Sequence, residues 1–198
     1  MGRIVIIDNE KFELSNLNRQ VSGWQRDIGR FKAEAAAEKL RELNPSIDVV
    51  ADVVKVTGEN VKDLIRGANV VVDAMDNWST RFIVNQGCVE EGIPLVHAGI
   101  YGFSGQITTI VPGKGPCLRC ILPRTPEDVK RFPVFGATPA LLASLQVMEV
   151  IKLILEIGEP LVGRMLIVDG LKMSFTEVAV RRRANCPVCS RRDEILEK

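Results

Sequence analysis

Short apolar runs alternate with helical patterns over the first 110 residues. Ile4–Ile7 is a β-branched run closed by Asp8. Lys32–Leu43 is rich in Ala and Glu, carries Ala36, Leu40 and Leu43 at helical spacing, and stops at Asn44-Pro45. The pattern predicts a strand over Ile47–Val56, a short helix over Val61–Ile65 ended by Gly67, and a buried strand at Val70–Val72. A helix over Thr80–Glu91 stopped by Gly92 and a short strand at Leu95–Val96 follow. Strands alternating with helices give parallel βαβ units in a doubly wound sheet.

Beyond residue 100 the pattern changes. Gln106–Val111, Arg164–Val168 and Phe175–Val180 read as strands, and the second half of the sheet is expected to be antiparallel. Between them Pro139–Ile157 is a long apolar helix. Leu142, Leu145, Met148, Ile151 and Leu155 lie on one face and Val147, Val150 and Ile154 on another. A helix apolar on most sides is buried in a core or in a subunit contact. Residues 113–137 carry Gly, Pro and charges with little periodicity and read as a loop. Arg181-Arg182-Arg183 is most simply a solvated edge.

Composition narrows the function classes. The chain has 198 residues, 46% apolar and 26% charged, enough to bury a sizeable core in one domain over residues 1–198. Lys and Arg number 26 against 25 Asp and Glu, a net charge of +1, which argues against a nucleic-acid module working by bulk positive charge. No uninterrupted apolar run approaches the roughly 18 residues of a membrane span, and no signal peptide is expected.

Four of the five cysteines form two pairs, Cys117-Leu118-Arg119-Cys120 and Cys186-Pro187-Val188-Cys189. The two-residue spacing lets both thiolates of a pair reach one tetrahedral zinc ion at about 2.3 Å. The 65 residues between the pairs exceed a compact finger, so the fold itself must join them. Four thiolates leave no open position, which makes the ion structural; two unrelated pairs or a redox dithiol is the alternative. Without an export signal the chain is placed in a reducing cytoplasm. Cys88, in an apolar helix, reads as a small buried hydrophobe.

Three carboxylates fall at strand ends, where doubly wound sheets bind ligands: Asp8, Asp73 and Asp76. Asp8 suits a ribose hydroxyl pair. Asp76 suits Mg²⁺ alongside phosphate oxygens, or serves as an N-cap for the helix that follows. Asp73 reads alternatively as structural, for example a backbone acceptor. Arg19 lies in a polar segment, and Lys32 opens a helix, where the dipole disfavours a cation unless it faces an anion such as a polyphosphate. His97, the sole histidine, reads as a core or rim residue.

The residues Asp8-Asn9-Glu10-Lys11-Phe12-Glu13-Leu14-Ser15-Asn16-Leu17-Asn18-Arg19-Gln20, then Gly29-Arg30-Phe31-Lys32, Asp73-Ala74-Met75-Asp76-Asn77, Gly105-Gln106 and the two cysteine pairs occur in that order. From residue 3 to about 190 the chain resembles the ThiF/MoeB/HesA family, the ubiquitin-activating-enzyme-like adenylyltransferases. The resemblance implies a Rossmann-like α/β fold with a four-cysteine zinc knuckle, and a homodimer through the long helix and neighbouring strands is expected. It implies ATP- and Mg²⁺-dependent adenylation of the C-terminal glycine of a ubiquitin-like, β-grasp sulfur carrier ending in Gly-Gly, in thiamine, molybdopterin or related sulfur chemistry. By motif position Asp8 binds the ribose; Asn16, Arg19, Gln20 and Lys32 line the phosphates; and Asp76 holds Mg²⁺. Arg19, Lys32 and Asp76 are the expected catalytic residues, because a carboxylate and a triphosphate repel until cations neutralise the transition state.

Two departures qualify that resemblance. Relatives begin with a strand and a G-x-G-x-x-G loop ahead of the Asp8 strand, whereas this sequence starts at the second strand. Many relatives carry a carrier-accepting cysteine in the stretch matching residues 121–140, and here Phe132–Thr138 has none, so no thioester step is expected there. The rival from another class is a non-catalytic carrier-binding module lacking the phosphate loop. A nicotinamide oxidoreductase is a weaker one.

Overall fold

A computed structural model of the chain describes residues 2–128 and 133–190; Phe132 and the tail beyond Ser190 lie outside the described residues. The chain forms two compact units, Met1–Val56 and Thr57–Lys198. The architecture is mixed α/β, with one parallel sheet and one mixed sheet.

In the first unit β1 (Arg3–Ile7) pairs in parallel with β2 (Asp48–Asp52). Helix α1 (Lys32–Leu43) crosses between them. Its buried positions are Ala33, Ala35 and Ala37, whereas Leu43 is exposed. Small side chains let this helix approach closely; Ala36 and Leu40 are half-buried on the same side, and of the three residues at helical spacing only Leu43 is exposed. Arg41 fastens the helix to the sheet by donating to the Val49 carbonyl at 3.0 and 2.6 Å.

The second unit carries helices α2 (Val61–Ile65), α3 (Trp78–Glu91), α4 (Leu118–Ile121) and α5 (Ala137–Leu155). Its sheet has five strands in the order β3 (Val71–Asp73), β4 (Leu95–Tyr101), β5 (Ser104–Ile110), β6 (Arg164–Asp169) and β7 (Ser174–Ala179). β3 and β4 are parallel and the remaining pairs antiparallel. β4 runs five residues past the expected Leu95–Val96, because Ala98-Gly99-Ile100-Tyr101 continues into a hairpin with β5.

Helix α5 packs on β4 and β5. Leu142 and Val150 join Val96, Ala98, Ile107 and Val168 in one core. Gly105 is required by that contact: a Cβ there would lie 2.5 Å from a Leu142 methyl. Two polar residues share the packed side. Gln146 donates to the carbonyls of Asp73 and Val96 at 2.9 and 3.1 Å. Buried Glu149 accepts from the Leu161 amide at 2.7 Å and from the Thr109 hydroxyl. By length and composition α5 is long and apolar enough to cross a membrane. Gln146, Glu149 and Lys152 interrupt its apolar sequence, so no unbroken apolar run marks it. Val147, Met148, Ile151, Ile154 and Leu155 are exposed, so within one chain only part of the apolar surface expected to be buried is covered.

Candidate functional site

In the first unit the segment between β1 and α1 is folded onto itself by local bonds. Asp8, at the end of β1, accepts from the Glu10 amide at 2.7 Å. Two 3₁₀ turns follow, Leu14–Asn16 and Gln25–Asp27. Asn16 is buried, and its side-chain oxygen caps the first turn by accepting from the Glu13 amide at 3.0 Å. Arg19 donates to the Ser15 carbonyl and the Asn18 side chain, both at 2.9 Å. Lys32, the first residue of α1, pairs with Glu10 at 2.5 Å. That ion pair supplies the counter-charge that the helix dipole demands, so a polyphosphate is not needed to explain a lysine at this position. The Gln20 side-chain oxygen is buried with no hydrogen-bond partner among the described residues. A ribose hydroxyl or a water would satisfy it; a phosphate, which only accepts, would need the amide nitrogen turned toward it.

The residue that holds this segment is Asp27, which the sequence reading does not single out. Its buried carboxylate accepts from the Trp24 amide at 2.9 Å, from Arg30 at 3.1 Å and from Lys39 of α1. Lys39 also donates to the Ser22 carbonyl at 2.6 Å. Burial disfavours the Asp27 anion, but Lys39, the Trp24 amide and Arg30 outweigh it and hold the group below the usual carboxylate range.

In the second unit the turn Asp73–Asn77 links β3 to α3. Asn77, not Asp76, is the N-cap: its side-chain oxygen accepts from the Thr80 amide at 2.9 Å. Asp128 adds a second cap, accepting from the Trp78 amide at 2.6 Å. Asp73 does serve as a backbone acceptor, for the Met75 amide at 2.9 Å. Its other oxygen meets Arg81 at 2.8 Å and His97 Nδ1 at 2.5 Å. Burial opposes this charge too, and the His97 and Arg81 contacts outweigh it, so Asp73 titrates below the usual range. His97 is fully buried, in register with Asp73 on the adjacent strand, and serves as a core residue. The Asp76 carboxylate is exposed, and its one hydrogen bond among the described residues is from Asn77 at 3.3 Å. It is available to a cation.

The cysteine pairs meet. Cys117 and Cys186 place their sulfurs 3.6 Å apart and Cys120 and Cys189 3.4 Å, with all four within 4.8 Å of one another and buried. A tetrahedral ion with Zn–S of about 2.3 Å sets sulfurs roughly 3.8 Å apart, so the cluster fits zinc. Burial pushes the Cys117 thiol up and Cys120 up to about 11. Cys186 is also opposed by burial, but the Cys189 and Val188 amides and the neighbouring thiols bring it down to about 7. A dication would relieve the cost of ionising the others. The Arg183 amide donates to the Cys120 sulfur at 3.4 Å. Cys88 is separate and inert: burial, with the Asp73 charge, pushes it up to about 12.

The first cysteine pair is fastened to α3. The Leu118 amide donates to buried Asn85 at 2.8 Å, and the Arg119 guanidinium stacks 3.6 Å from the Phe82 ring centre. Arg81, Asn85 and Asp128 are also unmarked by the sequence reading. The signal for Arg81 was present: it is a cation in the first turns of a helix, the anomaly noted for Lys32.

The ThiF family matches residues 1–188, and the chain belongs to that family. It is 44% identical over 194 residues to the SAMP-activating enzyme E1 of Haloferax volcanii, covering 96% of this chain and 72% of that protein. It is 40% identical over 199 residues to the sulfur carrier protein adenylyltransferase of Thermus thermophilus, covering 96% and 73%. The fold matches the crystal structure of E. coli MccB with AMPCPP and MccA at a TM-score of 0.84 and 25% identity. That match covers 95% of this chain, which spans only 59% of the MccB chain.

Proposed function

We propose that the chain, as one domain over residues 1–198, uses ATP to adenylate the C-terminal glycine carboxylate of a ubiquitin-like sulfur carrier ending in Gly-Gly. A carboxylate oxygen of the carrier attacks the α-phosphorus of ATP; an acyl-adenylate forms and pyrophosphate leaves. Asp8 takes the ribose; Asn16, Arg19, Gln20 and Lys32 take the phosphates; Asp76 holds Mg²⁺. The bound ion supplies charge neutralisation on the triphosphate. The work left to the side chains is placement and electrostatics rather than proton transfer. Residues 121–140 contain no cysteine, so the acyl-adenylate passes directly to its acceptor.

The 44% identity to a SAMP-activating enzyme carries this reading. The exposed Asp76 carboxylate is consistent with it. The test is ATP–pyrophosphate exchange by the purified, zinc-loaded chain. Exchange that depends on a Gly-Gly-ended carrier is expected. None in its presence refutes catalysis by this chain and favours the carrier-binding module. We further propose a homodimer through the exposed Val147, Met148, Ile151 and Leu155 side of α5, since solvent does not favour so continuous an apolar stripe. Sedimentation should give twice the chain mass, and Met148→Glu should return it to one.

A further inference from the structure

We propose that Arg81 is the positioning residue that fixes the turn presenting Asp76, and so sets the affinity of that carboxylate for a divalent cation. The inference rests on the reading of Asp76 as the metal-holding acid. Three acceptors from three places converge on this one guanidinium. Nη1 donates to the Asp73 carboxylate at the end of β3 and to the Ala98 carbonyl in β4; Nη2 donates to the Met75 carbonyl inside the turn. Nη1 also lies 3.2 Å from His97 Nδ1. Arg81 stacks on the Trp78 ring as well, 5.4 Å from its centre, and Trp78 follows directly on the cap residue Asn77.

The backbone of Met75 is therefore held on both sides of its Cα. Its amide is held by Asp73 and its carbonyl by Arg81. The next residue is Asp76, whose backbone has little freedom left between that peptide and the Asn77 cap. A carboxylate on a fixed backbone loses less conformational freedom when it binds an ion than one on a mobile loop. Arg81 is only 11% exposed, and both of its terminal nitrogens donate to chain acceptors, so it acts through the turn rather than on the ligand. Lysine at this position keeps the charge but cannot reach three divergent acceptors with a planar fork.

The test measures Mn²⁺ binding by electron paramagnetic resonance, with a non-hydrolysable ATP analogue, to the zinc-loaded chain and its variants. Arg81→Lys is expected to weaken Mn²⁺ by about tenfold or more, the usual cost of losing a residue that orients a ligand. Nucleotide affinity without metal, zinc content and melting cooperativity should hold. Asp76→Asn should abolish the metal-dependent component, and the double variant should be no worse than Asp76→Asn alone. If Asp76→Asn removes Mn²⁺ binding but folded Arg81→Lys leaves it unchanged, the positioning role is overturned and the metal reading stands. If Asp76→Asn itself changes nothing, both fall. Should Arg81→Lys lose its zinc or its cooperative melting, hydrogen exchange on the wild-type chain decides instead. The Met75 amide, which donates to the Asp73 carboxylate, must then be protected to the level of α3, and exchange at loop rates overturns the proposal.

Discussion

The segment from Asp8 to Lys32 and the turn from Asp73 to Asn77 hold their candidate residues in opposite ways. In the first, every candidate side chain except Gln20 is engaged by its own segment: Asn16 caps a turn, Arg19 binds Ser15 and Asn18, and Lys32 pairs with Glu10. In the second, the backbone is engaged and the candidate side chain is not; among the described residues Asp76 keeps a single long contact, to its neighbour. Each is anchored by one buried aspartate. The partners of Asp27 all come from residues 24–39, whereas Asp73 draws on Arg81 of α3 and His97 of β4, with Gln146 of α5 on its carbonyl. A ligand in the first segment must therefore displace existing partners. One at Asp76 meets a carboxylate already in place, at the cost of a network spread over the unit.

The sharpest way to break that contrast is through the zinc cluster. Structural zinc binding is worth on the order of 10 kcal/mol in small peptides, so Cys189→Ser should strip the ion and destabilise the second unit. Because Leu118 and Arg119 of the cysteine pair are fastened to α3, loss of protection should spread from 117–121 into 78–91 while the first unit keeps its own. Hydrogen exchange reads both units in one experiment. Equal loosening of residues 1–56 would show that the two networks are not independent.

A smaller effect is expected at the aspartates. Asp73→Ala leaves Arg81 without its buried counter-charge and His97 Nδ1 without its partner and should cost about 3–5 kcal/mol, seen as a lower denaturation midpoint. The same residue sets a pH dependence. Its folded pKa lies below the ordinary 3.8, so the unfolded chain binds more protons in that range. Stability is then present above about 3.8 and is lost as the pH falls through the lower, folded value. Asp27 acts in the same direction. Denaturant melts between about pH 2.5 and 6 should show the wild type losing stability below about pH 4, with a shallower slope in Asp73→Ala.

How much of this was legible depended on the range of the interactions. Helices α1 and α2 begin and end where capping and breaker residues put them, at Lys32–Leu43 and Val61–Ile65, because Asn44-Pro45 and Gly67 act locally. Gly92 ends α3 in the left-handed region, at φ 76°. The cysteine spacing announced a cluster that the fold then closes across 69 positions. Asp27 gave no signal, since it sits in a 3₁₀ turn without apolar periodicity and its importance comes from Lys39, a turn and a helix away. The extension of β4 was hidden by Gly99, which weakens a strand locally and is carried here by pairing with Gln106. Arg81 was legible only as a cation in the first turns of α3; its role required knowing that Asp73, Met75 and Ala98 converge, which no spacing along the chain encodes.

The smallest expected effect bears directly on the contrast in the first segment. Glu10 is 59% exposed in its side chain while Lys32 is 13% exposed, so the pair sits at the surface from the acid's side. Exposed pairs of this kind contribute about 0–1 kcal/mol, and a phosphate competing for Lys32 must first break the pair. Glu10→Gln removes the competing charge while keeping the side-chain length. If Lys32 serves the triphosphate, ATP should bind about two- to fivefold more tightly to Glu10→Gln, with the gain shrinking as salt is added. Lys32→Gln should lose affinity, and the double variant should match Lys32→Gln. Calorimetric titration with ATP measures all three. A Glu10→Gln chain that binds ATP no better, or binds it worse, would mean that the ion pair organises the start of α1 and that the lysine has no phosphate to hold.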